Sequence, residues 1–111
     1  MLIYKILLPS EWAEFEAAGR FDGSPLDRDS GYVHFSTRAQ VGLVARALFA
    51  AEPALVIAAV DTAAVGDALR WDPVPGGELY PHVYASVPRG AVVQVYPVAG
   101  AEAIDAALPA D

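Results

Sequence analysis

The chain holds two histidines, and each lies in a short segment of alternating character. Gly31-Tyr32-Val33-His34-Phe35-Ser36-Thr37 surrounds the first, and Pro81-His82-Val83-Tyr84-Ala85-Ser86-Val87 the second. Imidazole can donate and accept near neutral pH, so it suits ribose recognition or acid–base work. Residues 31–36 and 82–87 read as strands, whose side chains alternate between faces. Tyr32, His34 and Ser36 then share one face, against Val33 and Phe35 on the other. His82, Tyr84 and Ser86 likewise oppose Val83, Ala85 and Val87. The apolar faces belong in a core. The polar faces, placed side by side, would line a cleft with imidazole, phenol and hydroxyl groups, the usual make-up of a ligand pocket. A lone strand histidine is commonly a hydrogen-bonded structural residue. The pairing with matching neighbours is what carries the functional reading.

Other candidates are less specific. Residues 22–30 hold Asp22, Ser24, Asp27, Arg28 and Asp29 just before the first histidine strand. Asp and Ser serve turn chemistry, and a loop here could also place a carboxylate such as Asp29, or an arginine, over the cleft. Arg70 and Trp71 open an irregular stretch, where Trp71 reads as a pocket wall or a core plug. Thr37 and Gln40 read as helix caps. The Gly76-Gly77 pair alone is a weak phosphate-loop signal, and no GxGxxG, GxxxxGK[ST] or GxSxG is present. Ser36, His82 and an Asp could compose a nucleophilic triad, but no spacing supports one. There is no HxH or HExxH spacing, so no metal site is expected.

Composition narrows the class. The 111 residues carry 7 basic and 14 acidic side chains, for a formal charge of -7, and no cysteine. Hydrophobic residues make up 55%. That argues for a single folded domain over residues 1–111 and against disorder. Without cysteine there is no disulfide, thiolate nucleophile or Cys-ligated metal. The acidic balance argues against duplex nucleic acid or an anionic membrane as partner, since both need clustered Lys and Arg. No signal peptide and no apolar run of spanning length is evident, so a cytoplasmic protein is expected.

The elements that must position the histidines read as follows. Residues 2–7 form a first strand. Pro9 stands at a helix start, and 10–19 continues with Leu8, Trp12 and Phe15 on one face. Residues 20–30 read as a loop. Thr37-Arg38-Ala39-Gln40 matches a capping box for a helix running to about Ala51, with Val41, Val44, Ala45 and Leu48 on its buried face. Residues 55–60 form an apolar strand buried on both faces. A short helix capped by Asp61 or Thr62 runs through Leu69. Residues 70–81 read as irregular. Residues 91–96 form the last clear strand, paired as an antiparallel hairpin with 82–87, and 101–108 a weak terminal helix. The fold class is α+β, a compact domain with small mixed or antiparallel sheets around a cleft.

Several segments together resemble the bacterial domain-of-unknown-function 952 family across nearly the whole chain. They are Tyr4-Lys5-Ile6 with Trp12, Gly23-Ser24, Asp27, Asp29, and Gly31 to Thr37 with Gln40. Further on come Val60-Asp61, Leu69-Arg70-Trp71, Gly76-Gly77-Glu78-Leu79 and Tyr80-Pro81-His82-Val83-Tyr84. The resemblance implies an ADP-ribosyltransferase-like fold, with NAD as the cofactor such folds generally take. It implies His34 as the first-strand residue holding a ribose hydroxyl, and His82 and Tyr84 as second-strand residues. The family pattern has Ser-Arg before the glycine pair, whereas Val74-Pro75 stand here, which removes a natural phosphate ligand. The last strand offers Gln94 where a transferase acid is expected.

The reading to test is a His-lined cleft for a nucleotide- or ribose-containing small molecule, with NAD-linked ADP-ribosyl transfer or glycohydrolysis as its chemistry. His34 and His82 are the catalytic candidates. Tyr32, Ser36, Tyr84, Asp29, Arg70 and Trp71 are the ligand-binding candidates. The alternatives are a non-catalytic metabolite-binding module and a specialised-metabolite tailoring enzyme that uses the histidines as general acid and base.

Overall fold

The longest apolar strand of the sequence organises the molecule. In the computed structural model, which describes residues 1–110, this strand is β4, Leu55–Asp61. It pairs antiparallel with β1, Leu2–Leu7, on one side and β8, Val92–Val98, on the other. Val56, Ala58 and Val60 enter one buried cluster, and Leu55, Ile57 and Ala59 enter another. Both faces of the strand are therefore covered, as its unbroken apolar run requires.

The first face packs against α1, Pro9–Ala18, through Phe15, and against Phe21, Val33, Phe35 and Val83. The second packs against α3, Arg38–Leu48, through Val41 and Ala45, and against Ile104 of the terminal turn α4, Ile104–Ala107. Two smaller antiparallel sheets complete the fold. One joins β2, Arg20–Phe21, to β7, Val87–Pro88. The other has the order β3, Val33–His34, then β6, Leu79–Val83, then β5, Leu69–Pro73. All pairings are antiparallel. No helix among the described residues is long and apolar enough to cross a membrane.

The join between sheets matters most for the site. Tyr4 and Ser36 exchange backbone hydrogen bonds of 2.8 and 2.9 Å, and the Phe35 N–H donates to Pro81 O at 3.0 Å. The Tyr4–Ser36 pair fastens the first histidine segment to β1, and so to the central sheet, and the Phe35 bond ties it to β6.

Several expectations are corrected. Residues 20–30 are not a loop throughout: they hold β2 and a six-residue helix α2, Pro25–Ser30. Ser24 accepts from the Asp27 N–H, Asp27 accepts from the Ser24 N–H, Pro25 opens the helix, and Gly31 closes it at φ +89°. A helix this short shows no apolar periodicity, which hid it. Residues 70–81 are not irregular: β5 and β6 form a hairpin whose turn needs Gly76 and Gly77 at φ +105° and +89°. Pro73 and Pro81 obscured both strands.

The expected strands 31–36 and 82–87 are shorter, since β3 spans only Val33–His34 and β6 ends at Val83 with Ala85 exposed, and the expected hairpin between 82–87 and 91–96 does not form. The chain leaves β6, pairs briefly with β2 through β7, and joins β4 instead. Helix α3 ends at Leu48, three residues early, and Leu48 is exposed where burial was expected. The helix through Leu69 is two 3-10 turns, and the terminal helix is a 3-10 turn followed by α4.

Ile57 is fully buried at the centre of β4. Ile57→Ala is expected to cost about 2–5 kcal/mol. Urea denaturation checks this through the midpoint, with the slope unchanged.

Candidate functional site

His34 on β3 and His82 on β6 are direct partners in register. Their imidazoles meet edge to face, with centroids 5.3 Å apart. The pairing follows from the strand pattern, because Val33 and Val83, also partners, both point into the core. The alternate residues must then share the opposite face.

Each imidazole is held by a carboxylate. His34 Nδ1 lies 2.7 Å from Asp27 Oδ1, and His82 Nδ1 lies 2.8 Å from Asp72 Oδ2. An ionised carboxylate only accepts, so each Nδ1 carries the proton and each Nε2 is left for other partners. Tyr32 stacks on His82 with centroids 4.0 Å apart and sits 4.7 Å from His34. This ring fixes both imidazoles from one side.

The two carboxylates differ in kind. Asp27 is buried, at 2% exposure, and is paired with the buried Lys5 at 2.9 Å. Its oxygens also accept from the backbone N–H groups of Ser24 and His34, at 2.9 and 3.1 Å. Burial pushes the Asp27 carboxyl up. The His34 hydrogen bond, the Lys5 charge and those N–H groups together outweigh it, so the group stays well below the ordinary carboxylate range. Burial pushes the Lys5 ammonium down, and Asp27 opposes that shift. Asp72 is more open. The Tyr84 hydroxyl donates to its Oδ2 at 2.6 Å, and this bond, with that from His82, lowers its carboxyl from the ordinary value.

Both histidines line one cavity of about 600 Å³. Its polar wall carries Lys5, Asp27, His34, Ser36, Tyr80 and His82. Its apolar wall carries Leu8, Leu26, Val44, Leu48, Phe49 and Val74. A second cavity of about 210 Å³ is lined by Asp22, Arg28, Tyr32 and Tyr84, among others. Among the described residues, no group of three or more His, Cys, Asp or Glu is placed to hold a metal ion.

The structure brings Tyr32, His34, Ser36, His82 and Tyr84 together and leaves the others aside. Tyr84 lines the smaller cavity and reaches His82 through Asp72. Asp29 is exposed on α2 and lines neither cavity, while Asp27, two residues earlier, holds His34. Arg70 is the register partner of His82, but its guanidinium turns back to the backbone carbonyls of Asp67 and Leu69. Trp71 pairs with Pro81, so alternation places it on the sheet face opposite His82.

Lys5, Asp72 and Tyr80 were not singled out from the sequence. The sequence offers Asp27 as a turn residue or as one of several loop carboxylates over the cleft, with Asp29 as the binding candidate. The Ser24-x-x-Asp27 cap spacing could have fixed Asp27 at a helix start. Nothing local marks it as the partner of Lys5 and His34.

Two outcomes follow. In neutral His34 and His82, long-range proton–nitrogen NMR is expected to show the Nδ1–H tautomer for both. Because the Asp27 carboxyl is depressed in the folded state, its contribution is present above the unfolded carboxyl range near ~4. It is lost as pH falls from there through the folded value. Asp27→Asn, which leaves Lys5 buried without its countercharge, is expected to cost about 3–5 kcal/mol at neutral pH. It should also flatten the acid limb of a stability–pH curve measured by urea denaturation.

Comparison with known proteins places this geometry in a family. A crystal structure of protein CC0527 from Caulobacter crescentus matches with a TM-score of 0.84 and 35% identity, covering 87% of this chain and 85% of that one. The solution NMR structure of CC0527 matches with a TM-score of 0.76 and 36% identity, over 85% and 81% of the two chains. Among curated proteins none matches. The model of DUF952, a protein family of unknown function, matches residues 6–95, and the chain belongs to that family.

Proposed function

We propose that the larger cavity binds a ribose-containing small molecule, with sugar hydroxyls at the Nε2 atoms of His34 and His82. One observation carries this reading: two carboxylate-held imidazoles stand in edge contact on the wall of a single cavity. His34 orients a hydroxyl. Ser36, on the same wall, adds a hydrogen bond. His82, with Nδ1–H held by Asp72, acts as the imidazolium and gives its Nε2 proton to the departing base. Water or an acceptor hydroxyl bonds to the ribosyl carbon and returns a proton to the histidine. Cleavage at a ribosyl carbon needs a fixed sugar, nearby dipoles and a proton for the leaving group. The site offers these without a nucleophile.

An ADP-ribosyltransferase-like fold would suggest NAD. The residues lining the larger cavity fit its ribose and do not fit its pyrophosphate. Among the described residues Lys5 is the only lysine or arginine on the wall, and Asp27 already takes its charge. The reaction proposed is therefore glycoside hydrolysis or ribosyl transfer on a ligand that keeps no pyrophosphate in the cavity. A second reading, proton transfer on a specialised metabolite, draws on the same carboxylate-fixed Nε2 pair. A non-catalytic metabolite-binding module would use the cavity without turnover.

Calorimetric titration with adenosine, ADP-ribose, NAD and nicotinamide tests the binding step. Heat is expected with adenosine, with weaker response as phosphate is added. His34→Ala is expected to weaken adenosine binding at least about tenfold, the loss of one good hydrogen bond to a charged or polarised group. Release of the base, followed by chromatography, separates an enzyme from a binding module. No heat with any ribose-bearing probe would refute the proposal.

A further inference from the structure

We infer that the ligand of this cavity is an uncharged amphiphile. Its hydroxylated end lies at His34 and His82, and an apolar arm lies between α2 and α3. The inference rests on the ribose reading for its polar end only. The cavity holds about 600 Å³, the range of a drug-sized ligand, so a pentose leaves most of it unfilled. The rest of the wall, apart from Glu11 and Ser24, is apolar and belongs to the same cavity as the histidines. Leu26 comes from α2, Val44 and Leu48 from α3, and Phe49 from the residue after it.

Leu26 and Leu48 are 53% and 63% exposed. Val44 and Leu48 continue the core stripe of α3 but turn toward this space. Apolar side chains left open beside a polar floor are the mark of a site for an apolar group. Charge excludes an anionic arm. None of the six arginines lines this cavity, Lys5 is neutralised by Asp27, and Glu11 adds a carboxylate to the wall.

The test uses two probe series on the full chain. Methyl, butyl, hexyl and octyl β-ribofuranosides probe both ends, and 1-butanol, 1-hexanol and 1-octanol probe the arm alone. Affinity is expected to rise about fourfold per added methylene until the wall is covered. Leu26→Ser and Leu48→Gln alter exposed positions, and each should flatten that dependence. Octyl phosphate should bind more weakly than 1-octanol. If the alcohols show the chain-length dependence and the ribosides add nothing, the arm stands and the ribose reading fails. A flat response in both series, or equal binding of octyl phosphate, would overturn the inference. So would a dimer in solution that Leu48→Gln dissociates, since a second copy would then cover the patch.

Discussion

Asp27 is buried with its carboxylate ionised, where water cannot stabilise the charge. The ammonium of Lys5, the imidazole of His34 and two backbone N–H groups do so instead. A buried charge holds only when its partners are fixed in place, so this one constraint reaches across the fold. It binds the first strand, the short helix α2 and the first histidine strand to a single point. Removing Lys5 or Asp27 leaves an uncompensated charge in the interior.

The same arrangement makes the two histidines unlike each other. The carboxylate behind His34 is shared with a lysine and buried, so it serves structure as well as orientation. The carboxylate behind His82 is more open and is bonded to a tyrosine hydroxyl. The two imidazoles therefore share one cavity wall but rest on carboxylates of different burial. Tyr32 holds the rings against each other from one side. Both histidines line the larger cavity, whose other wall is largely apolar.

Much of this was legible in short-range pattern. Alternation placed His34 and His82 opposite Val33 and Val83, but it fails beyond Val83, where the chain leaves the strand, Ala85 is exposed and Ser86 bonds Asp22. The core placement of Val33, Phe35 and Val83 agrees. The unbroken run at 55–60 announced a strand covered on both faces, and Thr37 with Gln40 marked the start of α3. Proline-bearing strands and a six-residue helix were not legible. They are two to six residues long, and they form because neighbours hold them.

The sequence by itself determined which side chains could do chemistry, which face of each strand they occupy, and how scarce the cations are. Those are properties of residue type and of a repeat of two. Only the tertiary structure decided that the two histidine strands are register partners. It alone assigned Asp27 rather than Asp29 to His34 and Asp72 to His82, and turned Trp71 to the other face. Each of those outcomes depends on contacts between segments from 7 to 48 residues apart, and local pattern carries no information about which distant segments will meet.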